Sequence, residues 1–141
     1  MNGGRRFIEP ADVETLILDW GTIKWMTEVR VTGHERIAAG VVVLEPGKGH
    51  LRHNHPGSDE ILYVLAGEGR QMVEDDEGTP MYRQVRTGDM VFIPDSVFHG
   101  TENTGWEPMR LLAVYSPGGP EALLRDLPDC RIVPAGEQPI R

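Results

Sequence analysis

His53 and His55 are separated by one residue, Glu60 follows five positions after the second imidazole, and His99 lies some forty residues further along the chain. Three imidazoles and one carboxylate are donor types that hold a divalent transition metal through nitrogen and oxygen. Side chains alternate between faces along a β-strand, so a His-x-His pair turns both rings to one side of it. A turn drawn from Pro56, Gly57, Ser58 and Asp59 lets the next strand start at Glu60 and deliver an oxygen from a neighbouring direction. His99 joins them only where a closed or strongly curved sheet brings it back opposite the first three. The spacing therefore predicts one metal ion inside a small β-barrel.

The elements that must position these residues follow from patterning. Period-two apolar alternation broken by turn residues every eight to twelve positions predicts an all-β sandwich or barrel. Apolar-rich segments run through Leu16-Ile17-Leu18, Ile23 to Val31 and Ile37 to Leu44, with Pro46-Gly47 breaking the last one just before the histidines. Ile61 to Leu65 reads as a buried strand, and Gly67-Glu68-Gly69 turns it into the next, which runs through Val73. Asp75-Asp76-Glu77-Gly78 is a solvated hairpin tip, because it lacks the spaced ligands of a calcium loop. Strands follow over Gly88 to Pro94, around His99, and from Pro108 to Tyr115. Pro120 suits the first turn of a short helix through Asp126, which Pro128 ends. Gly47, Gly67 and Gly88 permit tight turns, and Pro94 and Asn103 orient the scaffold.

The segment Gly47 to Gly67 matches Gly-x5-His-x-His-x4-Glu-x6-Gly, and Gly88 to Asn103 matches Gly-x5-Pro-x-Gly-x2-His-x3-Asn save for Ser96 at the third fixed position. These are the two signatures of the cupin superfamily, which the chain resembles from about Ile37 to Pro117. Ser96 bears on a turn conformation and not on a ligand. The resemblance implies a single cupin barrel (a double-stranded β-helix, or jelly roll) with a short C-terminal helix. Residues 1–36 would then be N-terminal strands and an extension packing on the barrel, 37–117 the barrel core, and 118–141 the helix and tail. It also implies a homodimer, since family barrels commonly pair edge strands.

Pocket lining extends from the ligands by strand parity. If Glu60 faces inward so do Leu62 and Val64, and if His99 does so do Thr101 and Asn103. Similarity to small one-domain cupins places Arg110, Leu112 and Val114 on the inward set, where the Arg110 guanidinium could clamp a substrate carboxylate. His50 has the opposite parity to His53 and His55, so a regular strand aims it outward, and His34 reads as a loop residue. Tyr63 and Tyr115 are expected on the outer face or at a subunit contact. Trp20, Trp25 and Trp106 are expected as packing residues.

Composition sets the outer bounds. At 141 residues the chain can bury one respectable core. A net charge of −8 without a basic block argues against nucleic acid and against anionic membranes. No apolar run approaches the ~20 residues that span a bilayer. No apolar stretch follows Arg5 and Arg6, so a cytoplasmic address is expected by default. Cys130 is the sole cysteine, which excludes an internal disulfide and a thiolate-rich zinc site.

Three imidazoles and a carboxylate leave positions of an octahedral ion open, and without sulfur the metal could be Fe, Mn, Ni, Co, Zn or Cu. The first expectation is an oxidoreductase of dioxygenase type acting on a small oxygenated organic molecule. It rests on the absence of an evident general base, since substrate could be deprotonated by the metal's own charge. The alternative is an isomerase, lyase or decarboxylase using the ion as a Lewis acid. The second alternative is a non-catalytic module that binds a small ligand.

Overall fold

A computed structural model describes residues 3–141, so Met1 and Asn2, where the N-terminal segment begins, lie outside the described residues. Alternating apolar positions fold as strands that bury one face each, and the expected all-β barrel is what they form. The strands are β1 (Thr15–Leu18), β2 (Gly21–Thr27), β3 (Ala38–Leu44), β4 (Gly49–His53), β5 (Asp59–Ala66) and β6 (Glu68–Glu74). They continue as β7 (Pro80–Arg86), β8 (Met90–Ile93), β9 (His99–Glu102), β10 (Met109–Ser116) and β11 (Arg131–Val133). A seven-stranded sheet in the order β11-β1-β2-β3-β10-β5-β8 accompanies a four-stranded sheet in the order β4-β9-β6-β7. The main core gathers buried residues of the larger sheet, among them Leu16, Ile23, Leu44, Val64 and Leu111, with Val85 from the smaller one.

Two glycines serve geometry that a side chain would spoil. Gly67 turns β5 into β6 at φ 85°, where a Cβ would sit 3.1 Å from the Pro108 carbonyl. Gly40 lies opposite Trp25 in the β2–β3 register. A Cβ there would meet the indole at 2.5 Å, so the missing side chain makes room for the ring.

The apolar segment from Ile23 to Val31 is not one strand. Its register shifts between Trp25 and Thr27, β2 ends, and a single helical turn α1 (Val29–Thr32) follows. Gly33 closes that turn in the left-handed region at φ 80°, its N–H donating to the Val29 carbonyl at 2.9 Å.

Helix α2 (Pro120–Arg125) begins on Pro120. Leu124 packs into the core, and the half-buried Arg125 guanidinium reaches back to Glu14 and to Glu28, donating from Nη2 to both Glu28 oxygens at 2.7 Å. The tail then pairs antiparallel with β1, Thr15 opposite Val133. The larger sheet therefore includes strands on both sides of residues 37–117, with no break at either boundary. No helix of the described residues is long and apolar enough to cross a membrane.

Candidate metal centre

β4 ends at His53, so His55 stands in the turn leading to β5 and not on the same strand. Parity nevertheless carries both rings to one side. β9 lies beside β4 with His99 directly opposite His53, and the two ring centroids are 4.2 Å apart. One donor atom from each of His53, His55 and His99 falls within 4.8 Å of the others. Glu60 enters from β5 in the facing sheet: its Oε1 is 2.9 Å from His99 Nε2 and 3.4 Å from His55 Nε2. The structure thus brings all four sequence-selected groups to one place.

Hydrogen bonding fixes which nitrogens are free. His53 Nδ1 lies 2.6 Å from the Leu51 carbonyl, and His99 Nδ1 lies 2.9 Å from that of Val97. A carbonyl only accepts, so both Nδ1 atoms carry the proton and both Nε2 atoms present lone pairs. His99 Nε2, His55 Nε2 and Glu60 Oε1 are buried and make no hydrogen bond despite their closeness. Buried lone pairs facing one another at such distances are costly, and a bound cation would satisfy all three. Adjacent donors on an octahedral ion with bonds of ~2.1 Å stand roughly 3 Å apart, which fits this set.

Electrostatics agrees. Burial would push the Glu60 carboxyl up, but the His55 and His99 imidazoles outweigh it and hold the group down at about 2. Burial, with the neighbouring His50 and His99, lowers His53 to about 2. His53 is thus a neutral imidazole and Glu60 an ionised carboxylate near neutral pH, forms that ligate a metal.

His53, Glu60 and His99 line a chamber of about 30 Å³ whose wall is otherwise largely apolar. Leu62 and Thr101 line it, whereas Val64 is buried in the core cluster and not on the chamber wall. Arg110, Leu112 and Val114 do not line it. β10 alternates regularly, and its pairing with β5 sets Tyr115 opposite Glu60 and Ala113 opposite Leu62, so Leu111, Ala113 and Tyr115 share the ligand face and Arg110, Leu112 and Val114 the other. Leu111, Ala113 and Tyr115 turn inward instead, and no arginine or lysine reaches the chamber. Tyr115 is consequently an interior residue, its ring centroid 4.7 Å from that of His55. Trp20 and Trp25 pack in the core and line the chamber as well.

His50 also departs from its expected outward direction. A register shift between His50 and His53 turns it in. Its ring stacks on His53 with centroids 3.7 Å apart and on Trp20 with centroids 5.2 Å apart. Asn103 is fully buried and purely a scaffold residue. Its Nδ2 donates to the Leu44 and Glu107 carbonyls at 2.9 and 2.8 Å.

Fold and site together define a metal-binding type of β-barrel in which three histidines, with one glutamate beside them, could hold a divalent ion. The Cupin_2 family, described as a cupin domain, matches residues 40–115, and the chain belongs to that family. Oxalate decarboxylase OxdC of Bacillus subtilis (strain 168) is 32% identical over 79 residues, covering 56% of this chain and 20% of that protein. Glucose-6-phosphate isomerase of Thermococcus gammatolerans is 37% identical over 68 residues, covering 48% of this chain and 35% of that protein. A solved structure of Bacillus subtilis oxalate decarboxylase, described by its Mn(II) centres, superposes with a TM-score of 0.66 at 25% identity, over 78% of this chain and 30% of that one. The chain thus spans about a fifth to a third of the length of these relatives.

Proposed function

We propose that this protein is a metal-dependent enzyme that takes a small carboxylate as a direct oxygen ligand of its ion and cleaves a bond next to that carboxylate, as a decarboxylase or lyase does. The observation that carries this reading is the chamber itself: four converging donors, about 30 Å³ of space, and no cation on the wall. A phosphosugar would find neither room nor a charged partner for its phosphate there, which sets the reading apart from the isomerase relative. A bound divalent ion supplies a Lewis acid that draws electrons from a coordinated carboxylate or carbonyl.

The chain's own residues do the rest. His53, His55, Glu60 and His99 would hold the ion. Leu62, Leu111 and Ala113 exclude water from the reacting end, which strengthens every charge interaction there. His50 supplies what the sequence lacked, a further imidazole on the chamber wall. Burial first, then the neighbouring His55 and His99, lower it to about 4, so it is neutral near pH 7 and able to accept a proton. Its presence removes the main reason for preferring oxygen chemistry.

A second reading, dioxygenation, draws support from the apolar wall, which suits dioxygen. Protein loaded with Mn(II) or Fe(II) and offered C2–C4 carboxylates, including oxalate, glycolate, pyruvate and acetoacetate, separates the two by carbon-13 NMR and an oxygen electrode. Turnover without stoichiometric oxygen uptake supports the Lewis-acid reading. Turnover with one O₂ consumed per substrate supports the other, and metal-loaded protein that turns over none of the panel favours a binding module.

A further inference from the structure

We infer that His50 is the specificity-determining wall of the metal chamber, its ring setting the size of ligand that can reach the ion. The inference rests on the metal-centre reading above and adds the route and size limit of the ligand.

One residue borders three spaces. His50 lines the inner chamber of about 30 Å³ with His53, Glu60 and His99. It also lines an outer hollow of about 380 Å³ over the smaller sheet, floored by Gly49 and Gly100, and a second of about 360 Å³ beside Trp20, Lys48 and Asp129. With its ring stacked between Trp20 and His53, His50 stands between the donors and the surface hollow beside Trp20. A chamber of 30 Å³ has room for about two water molecules, so it admits a diatomic or a single carboxylate group. A ligand carrying an aromatic ring must displace the His50 ring into one of the outer hollows.

The ring is placed so that it can move. Among the described residues its nitrogens make no hydrogen bond to protein, and its faces are held by Trp20 and His53, both close to parallel with it at 24° and 22°. It sits where the β4–β9 register is interrupted, and β4 is an edge strand of its sheet. Its displacement breaks no ladder hydrogen bond on the open side.

The test uses the full chain loaded with Co(II), with azide as the small probe and benzohydroxamate as the large one, each followed by the visible spectrum of the ion. His50→Ala should raise benzohydroxamate affinity or association rate about tenfold while leaving azide within about threefold. His50→Phe, which restores a stacked ring, should bind both probes as wild type does. His50→Val takes the place of His50→Ala if the latter does not fold or load, and Trp20→Leu should give the same size-selective gain from the other side of the stack. Equal benzohydroxamate binding in wild type and in the opened variants overturns the inference while leaving the metal centre standing, as does a Phe variant that behaves like Ala. Wild type that takes up no Co(II) overturns both, and uptake measured by elemental analysis tells the cases apart.

Discussion

Glu60 and His99 approach each other at 2.9 Å with no hydrogen bond between them, and their meaning depends on what lies between. With an ion there, each donor is satisfied; without one, buried lone pairs oppose each other. His99→Ala should accordingly lower Co(II) affinity by roughly a hundredfold or more in calorimetric titration while circular dichroism keeps the β signature. Loss of the fold in the same variant would show that the cluster is mainly structural. Ser96, at the position where the second signature has glycine, carries φ 67°, the one non-glycine residue of the described chain in that region. Its carbonyl accepts from Asn54 Nδ2 at 3.0 Å, which ties the turn to the histidine loop. A side chain in this conformation costs about 1 kcal/mol, so Ser96→Gly should stabilise the protein by that amount in denaturant unfolding. A destabilised variant would mean that the Ser96 hydroxyl, which donates to Asp95 Oδ1 at 2.7 Å, matters more than the backbone.

At the scale of elements, the ligands were legible in the sequence and part of the wall was not. His53, His55, Glu60 and His99 could be read because their spacing encodes parity over short stretches with recognisable turns. Parity failed at His50, next to a register shift, and the family resemblance failed along Arg110, Leu112 and Val114, because the β5–β10 pairing puts the alternate residues opposite Glu60 and Leu62. A bulge depends on how two strands meet, and one strand's sequence does not display its partner. The pairing of β10 with β5 removed the proposed arginine clamp and put Tyr115 inside, opposite Glu60. The apolar segment at Ile23–Val31 did not show where β2 ends, because its apolar residues continue through the strand end and only Gly33 marks the turn of helix. Helix α2 was announced by Pro120, but its anchor was not. Arg125 meets Glu14 and Glu28 across about a hundred residues of sequence, with Glu28 only 3% exposed. Removing one partner of such a buried pair strands the other, so Arg125→Met should cost about 3 kcal/mol and speed hydrogen exchange in α2. Unchanged exchange there would show that Leu124 alone holds the helix.

Across the whole molecule, the buried site makes stability depend on acidity. His50 and His53 are lowered from 6.5 to about 4 and about 2, and Glu60 from 4.5 to about 2. In each case the unfolded chain binds protons at a pH where the metal-free native chain does not. Stability is therefore full above about pH 6.5 and falls on acidification, the histidines acting first and Glu60 joining below 4.5. Urea unfolding of chelator-treated protein between pH 7.5 and 4.5 should show this decline, and a flat profile would mean that the imidazoles are not held neutral by the fold.

The central claim is that one divalent ion is held jointly by His53, His55, Glu60 and His99. Anomalous diffraction from crystals of Co(II)-loaded protein, recorded at the cobalt edge, tests it directly. A single strong peak about 2.1 Å from the three Nε2 atoms and a Glu60 oxygen is expected. No peak in the chamber, or one that leaves out Glu60 or any of the three imidazoles, would contradict it.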